Sequence, residues 1–159
     1  MLLLLLPLPA LAAEPNTVEA ATEALVAILT DSAATEYTDA RQIHYPAGKT
    51  GMALVFFTLE SFGGGNNSTY YLAVFEPSWK DEAQETTAET IDKYRLVGYL
   101  PVGGDGWRSV DFADVVFEKD QITIKTEEYA DNDAMCCPSK PGTATFKLEN
   151  NRLTEITPQ

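Results

Sequence analysis

Recognisable sites are usually built from residues that this sequence has little of. It contains two cysteines, and they are neighbours, Cys136 and Cys137. No intrachain disulfide can therefore tie distant strands together, which excludes the cross-linked scaffold of many small secreted domains. Histidine occurs once, at His44. A closed zinc set cannot be assembled from soft residues alone, and a Ser-His-Asp triad would have to recruit that one ring. Lys and Arg number 11 against 24 Asp and Glu, a formal charge of −13. Such a field argues against nucleic acid or anionic membrane and attracts basic proteins or cations. There is no G-x-S-x-G. Gly48-Lys49-Thr50 ends like a phosphate loop, but Ile43 stands where its first glycine belongs. Asp131 and Asp133 have D-x-D spacing without the glycine and final glutamate of a calcium loop. Acidic residues are so many that a carboxylate pair at glycosidase spacing arises by chance. The expectation is a protein without catalytic residues or cofactor.

Long apolar runs are also missing. Met1 to Ala12 is the one continuous apolar stretch of note, well short of the roughly 20 residues that span a bilayer. Its length and the small residues Ala10 and Ala12 fit a signal peptide with an A-x-A-like cleavage site. No Lys or Arg precedes it, which points to a translation start upstream of Met1. Residues 1–12 are thus expected to be a leader and residues 13–159 a single acidic domain. That domain would be periplasmic or secreted. It has no cysteine after the cleavage site to carry lipid, and no stable membrane insertion is expected once the leader is removed.

What is present is a helix followed by strands. Asn16-Thr17-Val18-Glu19 resembles a capping box, and Val18, Ala21, Leu25, Ile28 and Leu29 recur at helical spacing, predicting a helix over about 17–30. Asp31 to Asp39 is small and polar, and is expected to be a connection. Met52–Leu59 and Tyr70–Phe75 are apolar at consecutive positions, the pattern of strands covered on both faces. Further strands are predicted at Arg95–Leu100, Val110–Phe117, Ile122–Tyr129, Thr143–Leu148 and Leu153–Ile156, with turns at Gly103–Gly106, Glu118–Asp120 and Asn150-Asn151. Short connections demand antiparallel neighbours. The predicted fold class is α+β: an N-terminal helix packed on a curved antiparallel β-meander of six to seven strands, with a small closed β-barrel as the alternative. Pro77 to Asp92 interrupts the meander as an acidic, solvated excursion.

The most distinctive local feature is Asp131-Asn132-Asp133-Ala134-Met135-Cys136-Cys137-Pro138-Ser139. Adjacent Cα atoms stand about 3.8 Å apart, below the usual range of about 4.4–6.8 Å for bridged cysteines. A Cys136–Cys137 bond would therefore close a strained eight-membered ring. Three readings stay open: a vicinal disulfide that stiffens a turn, two thiols or an intermolecular bridge, or a redox or metal role. In the last, Met135, Cys136 and Cys137 supply soft ligands suited to Cu(I). Two surface features are candidates for binding a partner. One is the hairpin tip Gly63-Gly64-Gly65-Asn66-Asn67-Ser68, with Gly64, Gly65, Asn66 and Asn67 at its apex. The other is Trp107-Arg108, a stacking platform or simply the packed start of a strand.

The segment D-x-x-C-C-P-S at Asp133–Ser139, the Thr/Phe-rich stretch Thr143–Leu148 and the turn Asn150-Asn151-Arg152-Leu153 together resemble uncharacterised exported bacterial proteins, including the LppP/LprE-type lipoproteins. The likeness spans residues 107–156. The chain departs from the lipoprotein members in lacking a lipobox cysteine. The resemblance implies export and a β-rich fold, and carries no activity with it. Two functional expectations follow: a non-catalytic binding or inhibitor protein for a basic partner in the cell envelope, and, as the alternative, a redox or copper-handling protein acting through the vicinal cysteines.

Overall fold

The structure, a computed structural model, describes residues 17–30, 34–61, 67–78, 93–134 and 136–156. The expected leader, Asn16 and most of the Pro77–Asp92 excursion lie outside the described residues. Helix α1 runs Val18–Thr30. Its cap among these residues is Thr17, whose Oγ1 accepts from the Ala20 amide at 3.0 Å and satisfies one of the free donors of the first turn. Val18, Ala21 and Leu25 are buried against the sheet. Thr22 is buried with them because its hydroxyl donates to the Val18 carbonyl at 2.7 Å, leaving no polar group unpaired. Ile28, expected on the apolar stripe, is 75% exposed; at roughly 100° per residue it falls at the edge of the face defined by Val18, Leu25 and Leu29.

Nine strands follow: β1 Ala34–Glu36, β2 Gln42–His44, β3 Ala53–Ser61, β4 Ser68–Pro77, β5 Tyr94–Gly104, β6 Arg108–Glu118, β7 Gln121–Glu128, β8 Lys140–Glu149 and β9 Arg152–Ile156. They form one antiparallel sheet in the order β1-β3-β4-β5-β6-β7-β8-β9, with β2 also paired to β3. From β3 onward every strand pairs with its successor, so the domain is the expected α+β meander. The two strands beyond the expected six to seven are β1 and β2, three residues each. They carry no apolar alternation, and pair only because β3 presents an open edge to them.

Two glycines let the sheet double over. β5 and β6 pair at a single point, Gly104 with Arg108. Gly104 has φ +149°, and a Cβ there would lie 2.5 Å from the Ser68 carbonyl oxygen; one on Gly103 would lie 2.7 Å from that of Arg108. Only glycine fits this corner. Beyond it, β6–β9 form a second layer facing β3–β5. The sheet does not close, which removes the barrel alternative. β6 parts from β5 after Arg108, and β2 packs near β6 with no strand ladder, the His44 Nε2–H donating to the Phe112 carbonyl at 2.7 Å.

The doubled sheet makes two cores. Leu54, Phe56, Leu72, Val74, Phe112, Ile122, Ile124 and Phe146 fill the space between the layers. Ala53, Val55, Phe57, Leu59, Ala73 and Phe75 point from the other face of β3 and β4 onto α1. Consecutive apolar residues in those strands are therefore covered on both sides, as their pattern predicts. In the second layer the burial alternates: Ile122 and Ile124 inward, Gln121 and Lys125 outward. The turns joining it use positive φ, 50° and 63° at Lys119 and Asp120, and 52° and 58° at Asn150 and Asn151, the left-handed pair that two-residue hairpins require.

Candidate functional site

In a meander, alternate connections emerge at the same end of the sheet. That rule brings together three segments far apart in the chain: the facing ends of β3 and β4, the β5–β6 turn and the described part of the β7–β8 loop. Hydrogen bonds join them into one rim. Asp105 of the β5–β6 turn donates its amide to the Ser68 carbonyl at 3.0 Å and accepts from the Ser68 amide through Oδ2 at 2.7 Å, clamping the base of the tip. On the other side, the Tyr129 hydroxyl accepts from the Gly106 amide at 3.3 Å, tying the β7–β8 loop to the same turn. Of the tip candidates, Gly64, Gly65 and Asn66 lie outside the described residues, and Asn67 is exposed at its base.

Trp107 and Arg108 sit at the centre of the rim and play opposite parts. Arg108 is 5% exposed. Its Nε donates to the Val102 carbonyl at 2.7 Å, and its two terminal nitrogens donate to Glu155 at 2.7 and 2.9 Å. The guanidinium thus stitches β5, β6 and β9 together, a forked geometry that lysine could not supply. Trp107 lies over it at 4.5 Å from the ring centroid and leaves 43% of its own surface exposed. Arg108 is packed as a strand start; Trp107 is the surface-facing member.

The β7–β8 loop is organised by one carboxylate. Asp133 accepts from the Ala130 amide at 2.7 Å, the Ser139 amide at 2.8 Å and the Ser139 hydroxyl at 2.7 Å. The Ala130 amide, then the Ser139 hydroxyl, hold this carboxyl below its ordinary pKa. Cys136 and Cys137 form a disulfide within this loop and both are exposed. The bond between the sulfurs is common to a stiffened turn and to a redox pair in its oxidised form. With the sulfurs joined to each other neither is a thiolate, the form that ligates metal. Among the described residues no three His, Cys, Asp or Glu are grouped to hold a metal ion, and Met135 lies outside them.

The rim is acidic. Glu127 and Asp131 are exposed beside it, and Glu128 is half-buried. Among the described residues of these three connections and the strand ends that carry them, the cations are Arg108, committed to Glu155, and the exposed Lys140. Elsewhere, His44 is spent on its bond to Phe112 and an edge-on contact with Phe56 at 5.7 Å. Lys49, of the phosphate-loop look-alike, bonds Asp120 at 2.6 Å in a turn that leads into a strand. Sequence reasoning missed Tyr129, Ser139 and Glu155. Only the spacing of Asp133 to Ser139 around the Cys-Cys-Pro turn offered a signal for any of them. No family model, curated protein or solved structure matches this chain.

Proposed function

We propose that the protein is an exported, non-catalytic binding protein that holds a basic envelope partner on this rim. The supporting observation is a convergence: Asn67 and Trp107, from the two segments chosen separately as partner-binding candidates, are both exposed at one end of the sheet, where Asp105, Glu127 and Asp131 are also exposed. Aromatic residues are favoured anchors in interfaces, and a charge of −13 steers a basic partner toward them. The test is calorimetric titration with purified basic envelope proteins over a salt series. Binding should weaken steadily with salt, and Trp107→Ala and Asp131→Lys should each weaken it about fivefold or more. A partner that binds both variants as well as wild type, or no salt-dependent binding to any, refutes the reading.

Exposure of the disulfide favours a second reading, thiol–disulfide exchange. A dithiol reductant would attack one sulfur of Cys136–Cys137, forming a mixed disulfide, and its second thiol would then release the pair as two thiols. Alkylation of both cysteines after incubation with a dithiol oxidoreductase is the expected result; intact mass showing the bond untouched removes this reading.

A further inference from the structure

We propose that a cleft beneath the rim receives an arginine or lysine side chain of the basic partner. This deepens the rim reading and rests on it. The cleft exists because the sheet doubles over without closing. β6 leaves β5 at Arg108, and β2 approaches β6 without a strand ladder, joined to it by the His44–Phe112 hydrogen bond, so a gap lined from both layers remains beside that contact. It has a volume of about 390 Å³ and is lined by Tyr37, Thr58, Glu60, Tyr70, Asp111 and Phe112 among others, within the range of roughly 300–1,000 Å³ typical of ligand pockets.

Its lining combines aromatic rings and carboxylates with no cation. Phe112 meets Tyr70 edge to face at 5.7 Å and Phe56 at 5.2 Å, so the floor is an extension of the inter-layer core and is rigid. Tyr37 stands at the wall, 50% exposed. Glu60 is half-buried, and its carboxylate has neither an ion pair nor a side-chain hydrogen bond to any of the described residues. Asp111 accepts from the Ala113 amide at 2.9 Å, a bond within the irregular stretch of β6. Two cations lie nearby and both are committed elsewhere: Arg41 is paired through two nitrogens to Glu36 on the helix side, where Glu19 and Glu23 add to the attraction, and Lys125, which also attracts Asp111, is ion-paired with Asp114. A half-buried carboxylate beside aromatic rings favours a cation twice over, by charge-assisted hydrogen bonding and by the rings' negative faces. A hard metal ion would want a cage of six or more oxygens, whereas a planar guanidinium or an ammonium on an alkyl stem suits both walls.

The test is titration of isotope-labelled full-length chain, followed by amide shifts, with the peptide Gly-Ser-Gly-Arg-Gly-Ser-Gly and with the same peptide carrying citrulline for arginine. Shifts should centre on Tyr37, Thr58, Tyr70 and Phe112, with the citrulline peptide about tenfold weaker. Glu60→Gln and, as a second variant independent of charge, Tyr37→Ala should each weaken the arginine peptide about fivefold or more while leaving the remaining amide spectrum unchanged. Shifts elsewhere, equal binding of citrulline, or wild-type affinity in both variants overturns the proposal. The basic partner separates the two levels. If it binds and responds to Trp107→Ala but not to Glu60→Gln or Tyr37→Ala, the cleft falls and the rim stands. If the arginine peptide binds as described while no basic protein does, the cleft stands and the rim reading falls.

Discussion

The hairpins β3–β4 and β7–β8 have the same antiparallel geometry and belong to the same sheet, yet they are buried in different ways. In β3–β4 successive residues are sealed, Leu54 and Phe56 by the second layer, Val55 and Phe57 by α1. In β7–β8 only alternate residues are sealed, Ile122, Ile124 and Thr126 on β7 and Ala144 and Phe146 on β8; Thr123 and Thr145 face outward and touch across the ladder at 3.3 Å. The difference lies in what covers the second face. One hairpin has a helix over it and the other has water, so the first can spend apolar residues at every position and the second at every other one. The water-facing half consequently carries charged connections, and the rim inherits its acidity from that half.

The comparison can be broken most severely at Phe56, fully buried between the layers. Phe56→Ala should cost about 3–5 kcal/mol, the usual range for truncating a buried phenylalanine, read from chemical denaturation. A loss below about 1 kcal/mol would mean that the layers are not packed as described. Next comes the fastener between layers. Arg108→Met removes three hydrogen bonds and leaves Glu155 unpaired; because the Glu155 side chain is 34% exposed, water offsets part of the loss, and about 2 kcal/mol is expected. Glu155→Gln should cost less than Arg108→Met, and the reverse order would place the main contribution at the carboxylate.

A smaller and local effect is expected at Asp133. Its pKa is depressed in the folded chain, so the stability it contributes is present above the unfolded carboxyl value of about 3.9 and is lost as pH falls through the lower folded value. The slowed exchange of the Ala130 and Ser139 amides should therefore persist to about pH 4 and vanish only below it. Asp133→Asn should abolish the pH dependence, whereas loss of protection already at pH 6 would show that another group holds the loop. The smallest effect sharpens the contrast from the open side: Thr123→Ala on the outer face of β7 should change stability by no more than about 0.5 kcal/mol. A cost comparable to Phe56→Ala would mean that this face is covered too.

Periodicity made much of this legible. The helix, seven of the strands and the double coverage of β3 and β4 follow from local apolar spacing, because those residues are buried through their own elements' geometry. β1 was not legible, since its only reason to be a strand is the open edge of β3, whereas the stretch around His44 had a strand-like look that β2 bears out. Ile28 misled because a stripe predicts direction and not how far the sheet extends beneath it. For the rim, Trp107, Asn67 and the cysteines stood out as residue types, but their proximity did not, and neither did the cleft. Tyr37, Glu60, Tyr70 and Asp111 are separated by up to two whole hairpins in the chain and share no motif.

By itself the sequence determined the composition of this protein: its acidity, the adjacency of Cys136 and Cys137, the order of helix and strands, and which strands are apolar on both faces. These are properties of single residues or of near neighbours, and local spacing encodes them. The tertiary structure alone decided that the sheet doubles at Gly103-Gly104 and does not close, that Arg108 turns inward while Trp107 faces out, and that the base of the β3–β4 connection, the β5–β6 turn and the β7–β8 loop share one rim beside a gap. Each of those depends on contacts between residues distant in the chain, where the cost of a clash or of an unpaired charge, and not any local preference, selects the arrangement.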